Sequence, residues 1–386
     1  MTLSTLNLSA RAAEPVRRGH PWVYREQVSG SIARDGEEVR LAAKGEVVAR
    51  GIASASGPIA VRVWTRGETS VDEKLFRQRI ARAVSLRTRW FDDTTDAFRV
   101  IHGEGDRMPG VVVDRYGTTC VVAFDDAAIR AHRASIVPII AEETRALGVQ
   151  SILVRSGRGQ DKRVELAAGP APEMRPCVKE HGVPFIVDLE KGQKTGAFLD
   201  QRENRKRVGA LARGKTVLNL FSYTGGFSLH AALGGATKVT SVDVAAQGHA
   251  TAQESFKRAG VSPSGHEFVT QDCFAFLEQA HKRGRTWDLV ISDPPSFAPN
   301  EKSVPNALAS YRALHKACIT VLARGGIFCA ASCSSHVGAE AFASTLDDAS
   351  LETDALRMVA LHGAPCDHPM LAAFPEGRYL KFAVLE

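Results

Sequence analysis

The chain has 386 residues, 44% hydrophobic and 24% charged, with a formal net charge of +6. That length exceeds one typical core and predicts two or three domains, and the balance is that of an ordinary globular protein rather than a disordered or fibrous one. No apolar run approaches the roughly 20 residues that span a bilayer, and no basic start followed by an apolar stretch marks a secretory leader, so a cytoplasmic protein without a membrane partner is expected.

Residues 1–70 carry short β-type runs: Val39-Arg-Leu-Ala, Glu46 to Ala53 and Ile59 to Trp64. Gly and Ser breaks separate them, which predicts a small β-barrel-like module. Residues 71–190 are mixed. A helix over Val71 to Trp90 precedes strands beginning at Phe98, Gly110 and Thr118; a second helix, Ala127 to Leu147, precedes strands at Ser151 and Val183. This is a central α+β domain of the strand-strand-helix-strand-strand type.

From 191 to 386 strands and helices alternate. Strands are predicted at 216–221, 239–243, 268–272, Trp287 to Asp293 and Gly326 to Ala331, with helices at Gly226 to Leu233 and Gln247 to Ala259. Alternation of this kind is the pattern of a doubly wound, parallel, Rossmann-like α/β sheet, whose ligands bind beyond the carboxyl ends of the strands.

The polar signals gather at those ends. Strand 216–221 runs into Ser222-Tyr-Thr-Gly-Gly-Phe, where glycine allows a tight turn and close approach to a ligand. Strand 239–243 ends in Asp243, placed to hydrogen-bond ribose hydroxyls. No full G-x-G-x-x-G fingerprint is present, so a nucleoside ligand without a pyrophosphate fits best; S-adenosylmethionine is such a ligand and NAD the weaker alternative. Strand 268–272 leads to Asp272 and Cys273, suited to an adenine edge. Ser292-Asp-Pro-Pro-Ser-Phe follows, its two prolines freezing an extended turn that fixes Asp293, with Phe297 able to face a planar base.

Seven cysteines lie scattered with no C-x-x-C pair. In a reducing compartment this argues against structural zinc and disulfides, and no metal is expected. Cys333, flanked by Ser332 and Ser334 where an apolar strand stops, is then either an inert residue or a nucleophile. Two basic clusters raise the odds of a polyanionic partner: Arg77, Arg79, Arg82, Arg87 and Arg89, and the eight basic residues Lys191, Lys194, Arg202, Arg205, Lys206, Arg207, Arg213 and Lys215.

The segments "NLFSYTGGFSLHAALGGATKVTSVD", "DPPSF", "SCSSH" and "KTGAFLDQRENR" resemble those of bacterial 23S rRNA cytosine-5 methyltransferases with an N-terminal PUA domain. The resemblance extends to "GHPWVYREQV", "GDRMPGVVVDRYG" and "DHPMLAAFPEGRYLK", covering nearly the whole chain. It implies a PUA-like RNA-binding domain at 1–70 and a methyltransferase domain at 191–386. It also implies that Phe221, Ser222, Tyr223, Thr224, Gly225, Asp243, Val244, Asp272, Cys273 and Asp293 surround S-adenosylmethionine, with Lys194, Gln201 and Arg202 nearby.

Cys333 falls on that family's catalytic cysteine, and the chemistry needs one: a thiolate adding to carbon six makes carbon five of cytosine nucleophilic. Asp293 is the second catalytic candidate, holding N3 and the amino group. Cys329, Cys120 and Cys318 are read as inert core residues, and His336 as incidental. Ser296 stands where another branch of RNA cytosine-5 methyltransferases carries a second cysteine. The implied partner is 23S ribosomal RNA, naked or in an assembling large subunit, with a second copy of the chain left open. The alternatives are methylation of a guanine or adenine nitrogen, a non-catalytic RNA-binding assembly factor and, weakest, an NAD-dependent oxidoreductase.

Overall fold

The computed structural model describes residues 3–32, 34–157, 161–350 and 356–386. They fall into two units: the first comprises residues 1–178, 188–199 and 366–377, the second residues 179–187, 200–365 and 378–386. No helix among the described residues is long and apolar enough to cross a membrane.

The first unit holds two sheets. One has six strands in the order Trp22–Tyr24, Ile59–Arg66, Glu46–Ala53, Glu37–Ala43, Ser4–Leu8, Val28–Ser29. Its nearly closed interior is filled by Leu6, Val39, Leu41, Ala49 and Val61, all fully buried. The second has five strands in the order Arg163–Ala168, Ser151–Ser156, Thr119–Phe124, Val111–Tyr116, Ala97–His102. Helix Glu73–Trp90 buries Phe76, Ile80, Ala83 and Val84 in the same core.

Two details differ from the sequence reading. The strands expected at Phe98, Gly110 and Thr118 are present, but the last strand of this sheet is Arg163–Ala168, not the run at Val183, which pairs in a separate two-stranded ribbon. Arg163–Ala168 is an edge strand with no buried residue, so no apolar run announces it. The single helix expected over Ala127 to Leu147 is broken into Ala127–Arg130, Arg133–Glu143 and a final 3-10 turn. His132 sits at the break, its Nε2 hydrogen-bonded to the Gly36 carbonyl at 2.9 Å.

The second unit is built on seven strands: β1 (Thr216–Leu220), β2 (Lys238–Asp243), β3 (Glu267–Thr270), β4 (Trp287–Ser292), β5 (Leu322–Ser332), β6 (Met358–His362) and β7 (Lys381–Leu385). Their order is β3-β2-β1-β4-β5-β7-β6. The first five are parallel, while β7 runs antiparallel to both β5 and β6. The helices are α1 (Arg202–Leu211), α2 (Gly226–Leu233), α3 (Ala246–Arg258), α4 (Cys273–Lys282), α5 (Val304–Thr320) and α6 (Ala339–Ser350); all but α3 supply residues to two separate apolar clusters with the sheet. Helices on both faces explain why the central strands read as unbroken apolar runs rather than alternating ones. The strand order reverses between β1 and β4, which places the ligand crevice at the carboxyl ends of those strands.

Candidate active site

Where β1 ends, the chain turns through Phe221 to Gly225. Phe221 and Tyr223 have φ of 56° and 46°, a left-handed conformation that costs a non-glycine residue roughly 1 kcal/mol or more. Asp243, the last residue of β2, holds this turn: its Oδ2 accepts the Tyr223 N–H at 2.8 Å and its Oδ1 the Ala245 N–H at 2.8 Å. The Phe221 N–H donates to Cys273 Sγ at 3.3 Å. Gly225, at φ 73°, has no room for a side chain, because a Cβ there would lie 2.7 Å from that of Ala252 on α3.

A carboxylate offers about four lone-pair sites, so with one N–H on each oxygen Asp243 keeps acceptors for a ribose diol. The next residue, Val244, is 68% exposed, an apolar surface at the strand tip that a planar ring would cover. Asp272, exposed at the start of α4, caps the helix by accepting the Ala275 N–H at 3.0 Å. This donor and acceptor set fits a nucleoside such as that of S-adenosylmethionine.

Several residues expected to surround the cofactor have buried side chains with partners inside the protein. Cys273 is buried, its thiol spans Phe221 N–H and the Val242 carbonyl, and burial pushes its pKa up to about 12. Ser222 is buried against His249, Oγ to Nε2 at 3.3 Å. Gln201 and Arg202 are buried too: Gln201 accepts from Asn204 at 2.6 Å, and Arg202 pairs with Glu203 at 3.1 Å. These four side chains brace the wall of the turn from within. Thr224 is half-buried on the turn. Lys194 belongs to the first unit, where its ammonium lies 4.5 Å from the centre of the Phe198 ring.

Asp293 directly follows β4, and Cys333 directly follows β5; both side chains are partly exposed. The two turns are tied together beneath them. Ser296, exposed, meets Ser334 at 2.8 Å, and the buried Tyr311 hydroxyl of α5 donates to Ser332 at 2.9 Å and meets Ser334 at 3.2 Å. Phe297, expected to be able to face a planar base, is half-buried and tilts against Tyr311 with ring centres 4.9 Å apart. Cys329 on β5 is fully buried with its pKa pushed up to about 12, as Cys120 also is, and burial raises Cys318 as well. No disulfide joins any of the seven cysteines. His336 is exposed on the turn beyond Cys333.

Sequence reasoning missed Lys381. It lies on β7 opposite Ser332 of β5 and is 3% exposed. Its Nζ donates to the carbonyls of Ser334 at 2.6 Å, Val337 at 2.7 Å and Tyr379 at 2.8 Å. The available signal was a lysine opening the apolar run Lys381-Phe-Ala-Val-Leu, since lysine is almost never fully buried without a reason. A buried network was missed in the same way: Glu180 binds Arg205 through both oxygens at 2.5 Å and His230 at 2.7 Å. Burial by itself would raise the Glu180 carboxyl, but Arg205 and His230 outweigh it and hold it well below the usual range.

The basic clusters are smaller in space than in sequence. Arg202 and Arg205 are buried in those pairs. Arg87 is fully buried, forked onto Asp106 at 2.7 Å and donating to the Asp367 carbonyl at 2.8 Å. Arg77 is engaged by Glu142 and Glu143. Arg82 and Arg89 stand exposed on one helix, and Lys191, Lys194, Lys206 and Arg213 in the other cluster. Among the described residues no group of three His, Cys, Asp or Glu side chains is arranged to hold a metal.

A family model described as S-adenosylmethionine-dependent methyltransferase matches residues 129–379, and one described as PUA-like domain matches residues 6–66. The chain is 34% identical to the Ribosomal RNA large subunit methyltransferase I of Alteromonas mediterranea over 96% of this chain and 96% of that protein. It is 33% identical to the protein of the same name from Klebsiella pneumoniae (strain 342), covering 94% and 93%. Among solved structures, one from Streptococcus mutans assigned as an S-adenosylmethionine-dependent methyltransferase superposes with TM-score 0.88 at 23% identity, covering 99% of this chain and 100% of that one. Another, assigned as a methyltransferase and complexed with S-adenosylhomocysteine, gives TM-score 0.90 at 24% identity over the whole of both chains. These two likenesses establish the fold.

Proposed function

The chain belongs to the S-adenosylmethionine-dependent methyltransferase family and carries a PUA-like domain near its N-terminus, and from that premise we propose that it forms 5-methylcytidine in 23S ribosomal RNA through a transient bond to Cys333. The name those relatives carry supports the ribosomal substrate. The observation that carries the chemistry is a partly exposed thiol just past the carboxyl end of β5, with Asp293 just past the carboxyl end of the neighbouring β4. Methylating a ring nitrogen or an amino group requires no thiol there.

In this reading Asp243 binds the ribose of the donor, Val244 lies against its adenine, and Asp272 offers an acceptor to the adenine edge. When bound, S-adenosylmethionine supplies a sulfonium methyl group that carbon five accepts. Cys333 as thiolate forms a bond to carbon six of the cytosine, and the displaced ring electrons make carbon five nucleophilic. Asp293 holds the protonated N3 and the amino group, stabilising the ring as it takes up charge. Loss of the carbon-five proton to a base then restores the double bond, the sulfur–carbon bond breaks, and its electron pair returns to Cys333. The exposed arginines and lysines of both basic clusters contribute phosphate contacts, and the substrate is either naked RNA or an assembling subunit.

The test follows methyl incorporation into ribosomal RNA with the variants Cys333→Ala and Cys329→Ala. The first is expected to lose activity entirely and the second, remote from the rim, to keep it. RNA containing 5-fluorocytidine should trap a covalent adduct with the parent protein and none with Cys333→Ala. Retained activity in Cys333→Ala would refute carbon-five chemistry in favour of transfer to nitrogen. Mapping methylated positions in RNA from a strain lacking the protein identifies the nucleotide.

A further inference from the structure

We propose that Lys381 is the counter-ion of Cys333, its buried ammonium holding the nucleophile as a thiolate. The proposal rests on reading Cys333 as the nucleophile and adds a positioning residue to that reaction.

Three carbonyl oxygens surround Lys381 Nζ, those of Ser334, Val337 and Tyr379, between 2.6 and 2.8 Å away. A carbonyl only accepts, a neutral amine has two N–H bonds to give, and an ammonium has three. The geometry therefore selects the charged form, in a side chain 3% exposed. Burial opposes that choice and pulls the Lys381 pKa down to about 8, and the one ionisable group counteracting burial is Cys333, whose negative charge favours the ammonium. A buried charge is stable only beside an opposite charge. No carboxylate among the described residues pairs with Lys381, so the thiolate fills that role.

Four nearby ionisable groups are poorer counter-ions. From α5 comes Tyr311, whose phenol is kept neutral by burial, with the charges of Cys333 and Asp293 pushing its pKa further up. From the turn after β4 comes Asp293, an acid, which supplies no positive charge. His336, on the Cys333 turn itself, is exposed to water. Asp200 is engaged by the Tyr379 hydroxyl at 2.7 Å. The one buried cation in this set comes from β7.

Partial exposure alone does not make a thiolate: a free cysteine titrates near 8.5 and needs a neighbouring cation to fall below it. Two carbonyls that Lys381 grips belong to the Cys333 turn, so the same residue fixes the turn and sets its charge. The cation serves twice in the cycle, once before the sulfur–carbon bond forms and again when its electron pair returns to sulfur.

The experiment is iodoacetamide alkylation of the intact full-length protein, without RNA or donor, from about pH 5.5 to 10, read by mass spectrometry at the Cys333 peptide. The exposed Cys177 and Cys366 serve as comparators in the same digest. The midpoint reports charge, and the plateau rate reports access. We expect a parent midpoint at least about one pH unit below the free-thiol value. Lys381→Met should raise it by about one unit or more, slowing alkylation near pH 7 by about tenfold, and Lys381→Arg should restore most of the shift. A parent midpoint at or above about 8.5 overturns the proposal even if every Lys381 variant misfolds, as does an unchanged midpoint in a folded Lys381→Met. Neither readout requires methyl transfer, so the result is separable from the Cys333→Ala activity test.

Discussion

Asp243 is asked to do two things, and replacing it with alanine should remove both. Within the protein it accepts two backbone N–H groups at 2.8 Å and so stabilises a turn with two non-glycine residues at positive φ. Hydrogen bonds to a charged group contribute about 1.5–3 kcal/mol each, less where water can substitute, and Asp243 is half-exposed. The lower end applies, and Asp243→Ala should cost about 2–3 kcal/mol of unfolding free energy. Toward the ligand, losing a carboxylate that binds a ribose diol costs a similar amount, which corresponds to roughly 30- to 150-fold in affinity. The two effects separate in urea unfolding with and without S-adenosylmethionine. At a ligand concentration of about 100 times the parent dissociation constant, the parent should gain about 2.7 kcal/mol, and a variant binding about 100-fold more weakly only about 0.4 kcal/mol. Calorimetry gives the affinity directly. A folded Asp243→Ala that gains as much from the ligand as the parent would refute the assignment of this carboxylate to the ribose.

Three further outcomes follow from charges the fold has buried or left outside. Glu180→Gln leaves Arg205 buried without its anion, and such breakage costs about 3–5 kcal/mol, measurable by urea unfolding at pH 7. Because the Glu180 carboxyl is held well below its usual range, its contribution is complete above the unfolded value of about 4.3 and drains away as pH falls below it. The parent should therefore lose stability on acidification more steeply than the variant, and parallel curves would contradict the pairing. Replacing the exposed Arg82 and Arg89 with Gln should flatten the salt dependence of RNA binding by about one to two units of log–log slope. Arg87→Gln, by contrast, strips a buried fork onto Asp106, so it should appear in unfolding midpoints; an unchanged slope in the double variant would leave the two exposed arginines as solvated residues.

The parallel part of the second unit was legible because both its strands and their ends are marked. Buried strands covered on two faces give apolar runs, and the chain must switch to Gly, Asp or Pro where it turns; hence 216–221 and 239–243 lie within a residue of the observed β1 and β2, and helix Gly226–Leu233 agrees at both ends. Asp243, Asp293 and Cys333 were singled out by the same rule, as polar residues at or just past the end of an apolar run. The rule fails where burial is not apolar. β6 shows no fully buried residue, and β7 opens on a lysine, so neither stood out. Arg87 and Arg205 were counted as surface charge because their neutralising partners lie elsewhere in the chain. For Arg205 that partner is Glu180, 25 residues earlier. For Arg87 it is Asp106, 19 residues later. A charged side chain carries no local sign of which side of a helix it faces; its helical period does, and Arg87 falls in the register of Phe76, Ile80, Ala83 and Val84 on the buried stripe of its helix. Weighing periodicity above residue type would have moved Arg87 from the RNA-binding track to the core. Applied to Lys381-Phe-Ala-Val-Leu, the same weighting puts the lysine where a buried cation needs an anion, beside Cys333.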